Sequence, residues 1–148
     1  MNVTELLALE PGVNLTVFTD TFSLKGNLLV NLEGDATSAW LFSEEGSMLS
    51  INPEADEMML FKAMESELEV DDDIVVESGK DYEFSYEDRG EVESVDGLAP
   101  YDEAEELEFT DYEAADGSRI RVITNTFNGE QKAFIGNVVT EDDVIVNE

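Results

Sequence analysis

Cysteine and histidine are both absent from this chain of 148 residues. Without thiols there is no disulfide and no thiolate nucleophile, and without imidazole the usual general base and zinc ligand is missing. The sequence also contains neither G-x-x-x-x-G-K nor G-x-S-x-G, the patterns of phosphate-binding loops and serine nucleophile elbows. These absences predict a protein that is not an enzyme and that carries no cofactor and no metal.

Basic residues are scarce: 7 Lys and Arg stand against 37 Asp and Glu, a formal net charge of −30. The imbalance is greatest in residues 61–115, with 21 acidic and 3 basic residues. Such a charge repels nucleic-acid phosphates and anionic lipids and attracts cations. We therefore expect a basic protein or a cationic ligand as partner, with no direct nucleic-acid binding. Two alternatives stay open, a surface that only confers solubility and a salt-adapted host.

Long apolar runs are missing as well. No segment approaches the roughly 18 apolar residues of a membrane span, and Met1 to Glu10 lack the basic leader and apolar core of a secretory signal. We expect no membrane insertion and a cytoplasmic location.

Apolar residues nevertheless make up 42% of the chain, which is enough for the core of one domain over residues 1–148. After a short helix near Asn2 to Leu7, apolar and polar residues alternate with a period of two from Val13 onward. This pattern predicts a mainly β fold, a single antiparallel barrel or sandwich of about ten short strands. The apolar run Met58 to Phe61 is predicted to be a core strand.

Glycine-containing pairs divide the predicted strands. Asp116-Gly117 and Asn128-Gly129 are typical hairpin turns, and we also place breaks at Gly26-Asn27 and at Arg89-Gly90. The segment from Leu98 to Glu106 is predicted to be an exposed connection.

Two stretches resemble each other, Trp40 to Leu49 and Asp111 to Ile120, each with an aromatic residue, an acidic-Gly-Ser turn and an apolar return. They predict equivalent hairpins, and one hypothesis is that the fold consists of two related β-subdomains.

Three groups of residues resemble a bacterial domain-of-unknown-function family, number four-one-seven-eight. They are Trp40-Leu41 before a glycine turn, Asp81 to Phe84 leading to Gly90-Glu91-Val92, and Leu107 to Tyr112 followed by Asp116-Gly117 and Phe127 to Glu130. The resemblance covers most of residues 22–139. It implies a small β-rich accessory domain whose relatives are encoded near polyamine-related, membrane-stress and ATP-grasp proteins, and it transfers no catalytic residue.

The acidic middle of the chain holds the residues that we expect to contact a cationic partner: Asp71, Asp72, Asp73, Glu103, Glu105 and Glu106. Asp71 to Asp73 lack the ligand spacing and central glycine of a calcium loop, so we expect no metal there. Two further hypotheses are a DNA mimic that inhibits a nucleic-acid-binding protein, and a site with two carboxylates about 5–10 Å apart that catalyses hydrolysis. Arg119 and Arg121 alternate on a predicted strand and are expected to form internal salt bridges.

Overall fold

A computed structural model describes residues 3–32, 36–53, 57–64, 69–71, 73–77 and 79–147 of the chain. The described part contains one short helix and twelve strands. In chain order these elements are α1 (Val3–Leu7), β1 (Asn14–Val17), β2 (Asp20–Leu32), β3 (Thr37–Ser43), β4 (Ser47–Asn52), β5 (Glu57–Ala63), β6 (Glu69–Asp71), β7 (Ile74–Glu77), β8 (Lys80–Gly97), β9 (Glu106–Glu113), β10 (Arg119–Asn125), β11 (Gln131–Val139), a 3-10 turn (Glu141–Asp143) and β12 (Val144–Asn147).

Eight of the strands close into an antiparallel barrel, in the order β2, β3, β4, β5, β11, β10, β9, β8 and back to β2. The long strands β2 and β8 form the seam, where residues 26–32 of β2 pair with residues 90–97 of β8. Outside the barrel, residues 20–23 of β2 pair with β1, and residues 80–83 of β8 pair with β7. β12 and β6 pair in turn with β1 and β7. Closure satisfies the backbone hydrogen bonds of both edges of the sheet. The predicted mainly β barrel is confirmed.

Two glycines that we expected to end strands lie inside them. Gly26 is within β2 and Gly90 is within β8, so neither the break at Gly26-Asn27 nor the hairpin at Arg89-Gly90 exists. A β-carbon at Gly26 would lie 2.0 Å from the carbonyl oxygen of Leu98, and one at Gly90 would lie 2.5 Å from Cγ1 of Val30. Glycine is required at both positions because another part of the chain approaches closely, and not because the chain turns. Asp116-Gly117 and Asn128-Gly129 do connect paired strands, as predicted.

The barrel interior and the outer surface of β3, β4 and β5 are both apolar. Trp40 and Met48 pack in the interior cluster, while Leu41 and Leu49, one residue further along, pack in a second cluster outside. Side chains of α1, β1 and β12 complete this outer cluster, in which Leu6 and Leu15 are fully buried. Because these strands are covered on both faces, they have continuous apolar runs. The predicted core position of Met58 to Phe61 is thereby confirmed.

The segment between β8 and β9 is not the exposed connection that we expected. Tyr101 is buried inside the barrel end, with its ring 6.3 Å from that of Trp40 in an edge-to-face arrangement. The backbone also joins the barrel, because the amide of Ala104 donates to the carbonyl of Val92 at 2.9 Å. We had predicted an exposed segment because acidic residues are abundant in it. Burial of the aromatic ring of Tyr101 nevertheless fixes this short segment to the barrel.

The predicted N-terminal helix is confirmed as α1, and it packs through Leu6 against the outer cluster. No helix within the described residues combines the length and the apolar character needed to cross a bilayer.

Candidate functional site

The interior of the barrel contains a buried ion pair. Arg121 of β10 donates through Nε and Nη2 to the two carboxylate oxygens of Asp111, at 2.7 and 2.9 Å, and through Nη1 to Oγ of Ser50 at 2.8 Å. Its guanidinium carbon lies 4.9 Å from the ring centroids of both Phe61 and Phe109. The charges are compensated by two parallel hydrogen bonds and by aromatic faces, so this pair joins β4, β9 and β10 and offers nothing to a ligand.

Arg119, two residues before Arg121, lies at the end of the barrel on the same face. Its Nη1 is 2.9 Å from the carboxylate of Glu57, and its Nε is 3.7 Å from that of Glu113. The predicted internal salt bridges of both arginines are therefore confirmed.

Three of the predicted partner-binding residues lie at the start of β9. Glu103 and Glu106 are exposed, and Glu106 is directly opposite Glu91 of β8. Glu105 has a different role, because its carboxylate accepts hydrogen bonds from the amide of Asp102 and from Nδ2 of Asn125. Glu103 and Glu106 are thus exposed to solvent, whereas Glu105 holds the loop before β9 in place.

Of the other three predicted residues, Asp73 lies near the start of β8. Asp73 is exposed in the turn between β6 and β7, and its carbonyl accepts a hydrogen bond from the amide of Phe84 at 2.8 Å. Asp71 ends β6, but its side chain lies outside the described part of the structure, and Asp72 lies outside it altogether. Phe84 and Glu91 are seven residues apart on β8, which corresponds to roughly 23 Å along a strand. Asp73 therefore does not form one compact cluster with Glu103, Glu105 and Glu106.

β8 itself supplies carboxylates that connect the two groups. Glu87, Glu91 and Glu93 are exposed. The spacing of Glu87 and Glu91 directs them to the same side of the strand, and Glu93 follows at the register shift between β8 and β2. Arg89 lies in this row and pairs with Glu108 of β9. We call this surface the acidic face, and it consists of Asp73, Glu87, Glu91, Glu93, Glu103 and Glu106.

Aromatic side chains accompany the acidic face at its Asp73 end. Phe84 is 45% exposed and contacts Tyr112 of β9 edge to face, with ring centroids 6.4 Å apart. Burial raises the pKa of the Tyr112 phenol, and the negative charges of Asp73 and Glu87 raise it further. Both carboxylates are therefore close enough to act on this ring, and together the four residues form a patch of aromatic surface flanked by negative charge.

A cleft of about 1040 Å³ opens at the opposite end of the barrel from Arg119 and continues over the outside of β9, β10 and β11. Its described lining consists of Lys25, Phe42, Ser43, Gly46, Ser47, Ala63, Met64, Leu98, Ala99, Pro100, Thr110, Tyr112, Val122, Thr124, Gln131, Lys132, Ala133 and Phe134. No carboxylate occurs in this lining, so the paired acids of a hydrolytic site are not found here.

No protein family, no curated protein and no solved structure matches this chain. The resemblance to family four-one-seven-eight therefore stays a prediction. Within residues 3–32, 36–53, 57–64, 69–71, 73–77 and 79–147, no group of three acidic side chains is placed to hold a metal ion.

The sequence prediction missed Glu87, Glu91 and Glu93 as candidate partner contacts. We had placed a turn at Arg89-Gly90, which would have divided them between two strands. Their alternation with Val92 was a usable signal, since residues two apart share one face of a strand. Phe84 and Tyr112 were visible as alternating aromatics, but their contact depends on the pairing of β8 with β9.

Proposed function

We propose that this protein is a non-enzymatic binding module whose acidic face engages a cationic protein or ligand. The observation that supports the proposal best is the patch in which the rings of Phe84 and Tyr112 are in contact and the charges of Asp73 and Glu87 act on Tyr112. An ammonium or guanidinium group gains from contact with an aromatic ring and from nearby carboxylates at the same time. The patch therefore suits a lysine or arginine side chain, or an amine of a polyamine.

The rest of the acidic face extends this preference over a longer surface. Glu91 lies directly opposite Glu106, an arrangement that is unfavourable between like charges until a cation bridges them. The surrounding segment 61–115, with 21 acidic and 3 basic residues, would also accelerate the approach of a cation at low salt. A partner with several positive charges along an extended segment would use both features.

The DNA-mimic hypothesis is less well supported. The acidic residues of β8 and β9 lie on neighbouring strands, about 4.8 Å apart, whereas the two rows of phosphates in DNA border grooves that are about 6 and 12 Å wide. Competition with DNA for a nucleic-acid-binding protein would revive this alternative.

Binding of an arginine-rich peptide and of spermine, measured by titration calorimetry, tests the proposal. The triple variant Asp73→Asn, Glu87→Gln, Glu106→Gln should weaken binding at least about tenfold and reduce its salt dependence, because three of the charges that face the ligand are removed. The matched control is Glu10→Gln, Glu44→Gln, Asp142→Asn, which removes three exposed acids elsewhere and should weaken binding less than about twofold.

The Phe84→Ala variant tests the contribution of the aromatic ring separately, since it leaves the net charge unchanged. It should weaken binding of the arginine-rich peptide about threefold, because a cation over an exposed ring contributes about 0.5–1 kcal/mol. An equal loss of affinity in the two triple variants would show that only the overall charge matters, and the proposal would then be wrong.

A further inference from the structure

The seven basic residues divide into two groups. Five of them form ion pairs with carboxylates of the described chain: Lys62 with Asp20, Lys80 with Asp116, Arg89 with Glu108, Arg119 with Glu57 and Glu113, and Arg121 with Asp111. Lys25 and Lys132 form no ion pair with any described residue, although the chain has 37 acids. Both of these lysines line the cleft.

The two lysines approach the cleft beside the same short segment. The amide of Leu98 donates to the carbonyl of Lys25 at 2.8 Å, and the ammonium of Lys132 lies 5.8 Å from the ring centroid of Tyr101. Lys25, through its backbone, and Lys132, through its ammonium, therefore both lie next to the segment from Leu98 to Tyr101, and both line the same cleft. Burial raises the pKa of the Tyr101 phenol, and the negative charges of Glu130 and Glu105 raise it further.

The remaining described lining is neutral. It combines apolar side chains, such as Phe42, Val122 and Phe134, with the hydroxyl groups of Ser43 and Ser47. Acidic residues make up 37 of the 148 residues, yet none of the 18 described lining residues is acidic. The described lining therefore differs in charge from the rest of the described chain, and an anion is the ligand that complements two ammonium groups without a described carboxylate partner.

We propose that the cleft binds a small amphipathic anion, with its carboxylate or phosphate group between Lys25 and Lys132 and its apolar part against Phe42 and Phe134. Tyr112 belongs both to the cleft lining and to the aromatic patch of the acidic face, so the two proposed sites adjoin, with opposite preferences for charge. Its volume of about 1040 Å³ matches clefts that hold ligands of ordinary metabolite size, about 300–1,000 Å³.

Displacement of the fluorescent anion anilinonaphthalene sulfonate, at about 0.15 M salt to limit repulsion from distant acids, provides the test. Decanoate and decyl phosphate should both displace the probe, and whichever does so at lower concentration identifies the preferred head group. Methyl decanoate should be at least about tenfold weaker, and decyltrimethylammonium or inorganic phosphate alone should not displace it. Equal displacement by decanoate and its methyl ester would overturn the proposal.

Matched lysine variants locate the site. Lys25→Gln with Lys132→Gln should weaken decanoate binding at least about tenfold, whereas Lys62→Gln, which removes a lysine that is paired with Asp20, should change it less than about twofold. Lys25→Arg with Lys132→Arg should retain binding, which separates loss of charge from loss of folding. Unchanged binding in the double glutamine variant, with unchanged unfolding by urea, would also overturn the proposal.

Discussion

The barrel interior and the acidic face use the same kinds of charged side chain in opposite ways. In the interior, Asp111 is 1% exposed and both of its carboxylate oxygens accept hydrogen bonds from Arg121. On the acidic face, Glu91 is exposed and its cross-strand neighbour is another carboxylate, that of Glu106. The carboxylate of Asp111 is compensated within the fold, whereas that of Glu91 is exposed to solvent beside a like charge.

The difference follows from solvation. A buried charge loses its hydration, so it persists only where a partner compensates it almost completely. An exposed charge keeps its hydration, and like charges can accumulate there at a small cost to stability. Folding stability and ligand binding are therefore expected to respond to separate sets of acids.

The largest expected effect comes from breaking the interior pair. Arg121→Met leaves the carboxylate of Asp111 buried without a counter-charge and should lower the free energy of unfolding by about 3–5 kcal/mol, as measured by urea denaturation. Adding Asp111→Leu to this variant should return stability to within about 1 kcal/mol of the wild type, because an apolar pair needs no compensation. If the double variant is as unstable as the single one, the ion pair is not the cause.

Removing one carboxylate from each region should change the free energy of unfolding in opposite directions. Asp111→Asn should destabilise the protein by about 3 kcal/mol, because Arg121 stays buried without its counter-charge. Glu91→Gln should instead stabilise it by at most about 0.5 kcal/mol, because repulsion from Glu106 is relieved. The gain should appear in urea denaturation at about 0.01 M salt and vanish at about 1 M, where the screening length falls to about 3 Å. A destabilised Glu91→Gln variant would contradict the proposed separation.

The smallest effect concerns an exposed pair that belongs to neither region. The hydrogen bond from Lys80, followed by those from Ser118, holds the pKa of Asp116 well below its usual range. A carboxyl whose pKa is lowered in the folded state adds stability above its unfolded pKa of about 3.9, and this contribution is lost as the pH falls further. Asp116→Asn should therefore be less stable than the wild type at neutral pH, and the two unfolding curves should converge in acid. A difference that is the same at every pH would show that the charge of Asp116 is not responsible.

Local patterns were sufficient for much of the fold. Alternation with a period of two predicted β1, and short apolar runs between turn residues predicted β3, β4 and β5. Aspartate or asparagine before glycine predicted the turns at Asp116-Gly117 and Asn128-Gly129. These features are determined within a few residues, because side-chain direction and turn conformation are local properties of the chain.

The same reasoning failed where a distant contact decides the outcome. Gly26 and Gly90 have the composition of turn residues, but the approach of Leu98 and Val30 makes them interior strand positions. Part of the acidic face was predicted from charge alone, through Asp73, Glu103 and Glu106. Its continuation over β8, and the structural role of Glu105, depend on strand pairing and on Asn125.

By itself, the sequence determined that this is a β-rich, strongly acidic chain without thiols or imidazoles, since composition and alternation carry that information directly. Only the tertiary structure decided which charges are buried inside the barrel and which are exposed, because burial depends on strands that are far apart in the chain. Lys25 and Lys132, 107 positions apart in the sequence, line one cleft only because the barrel closes. No local pattern encodes that proximity, since burial and pairing are properties of the whole sheet.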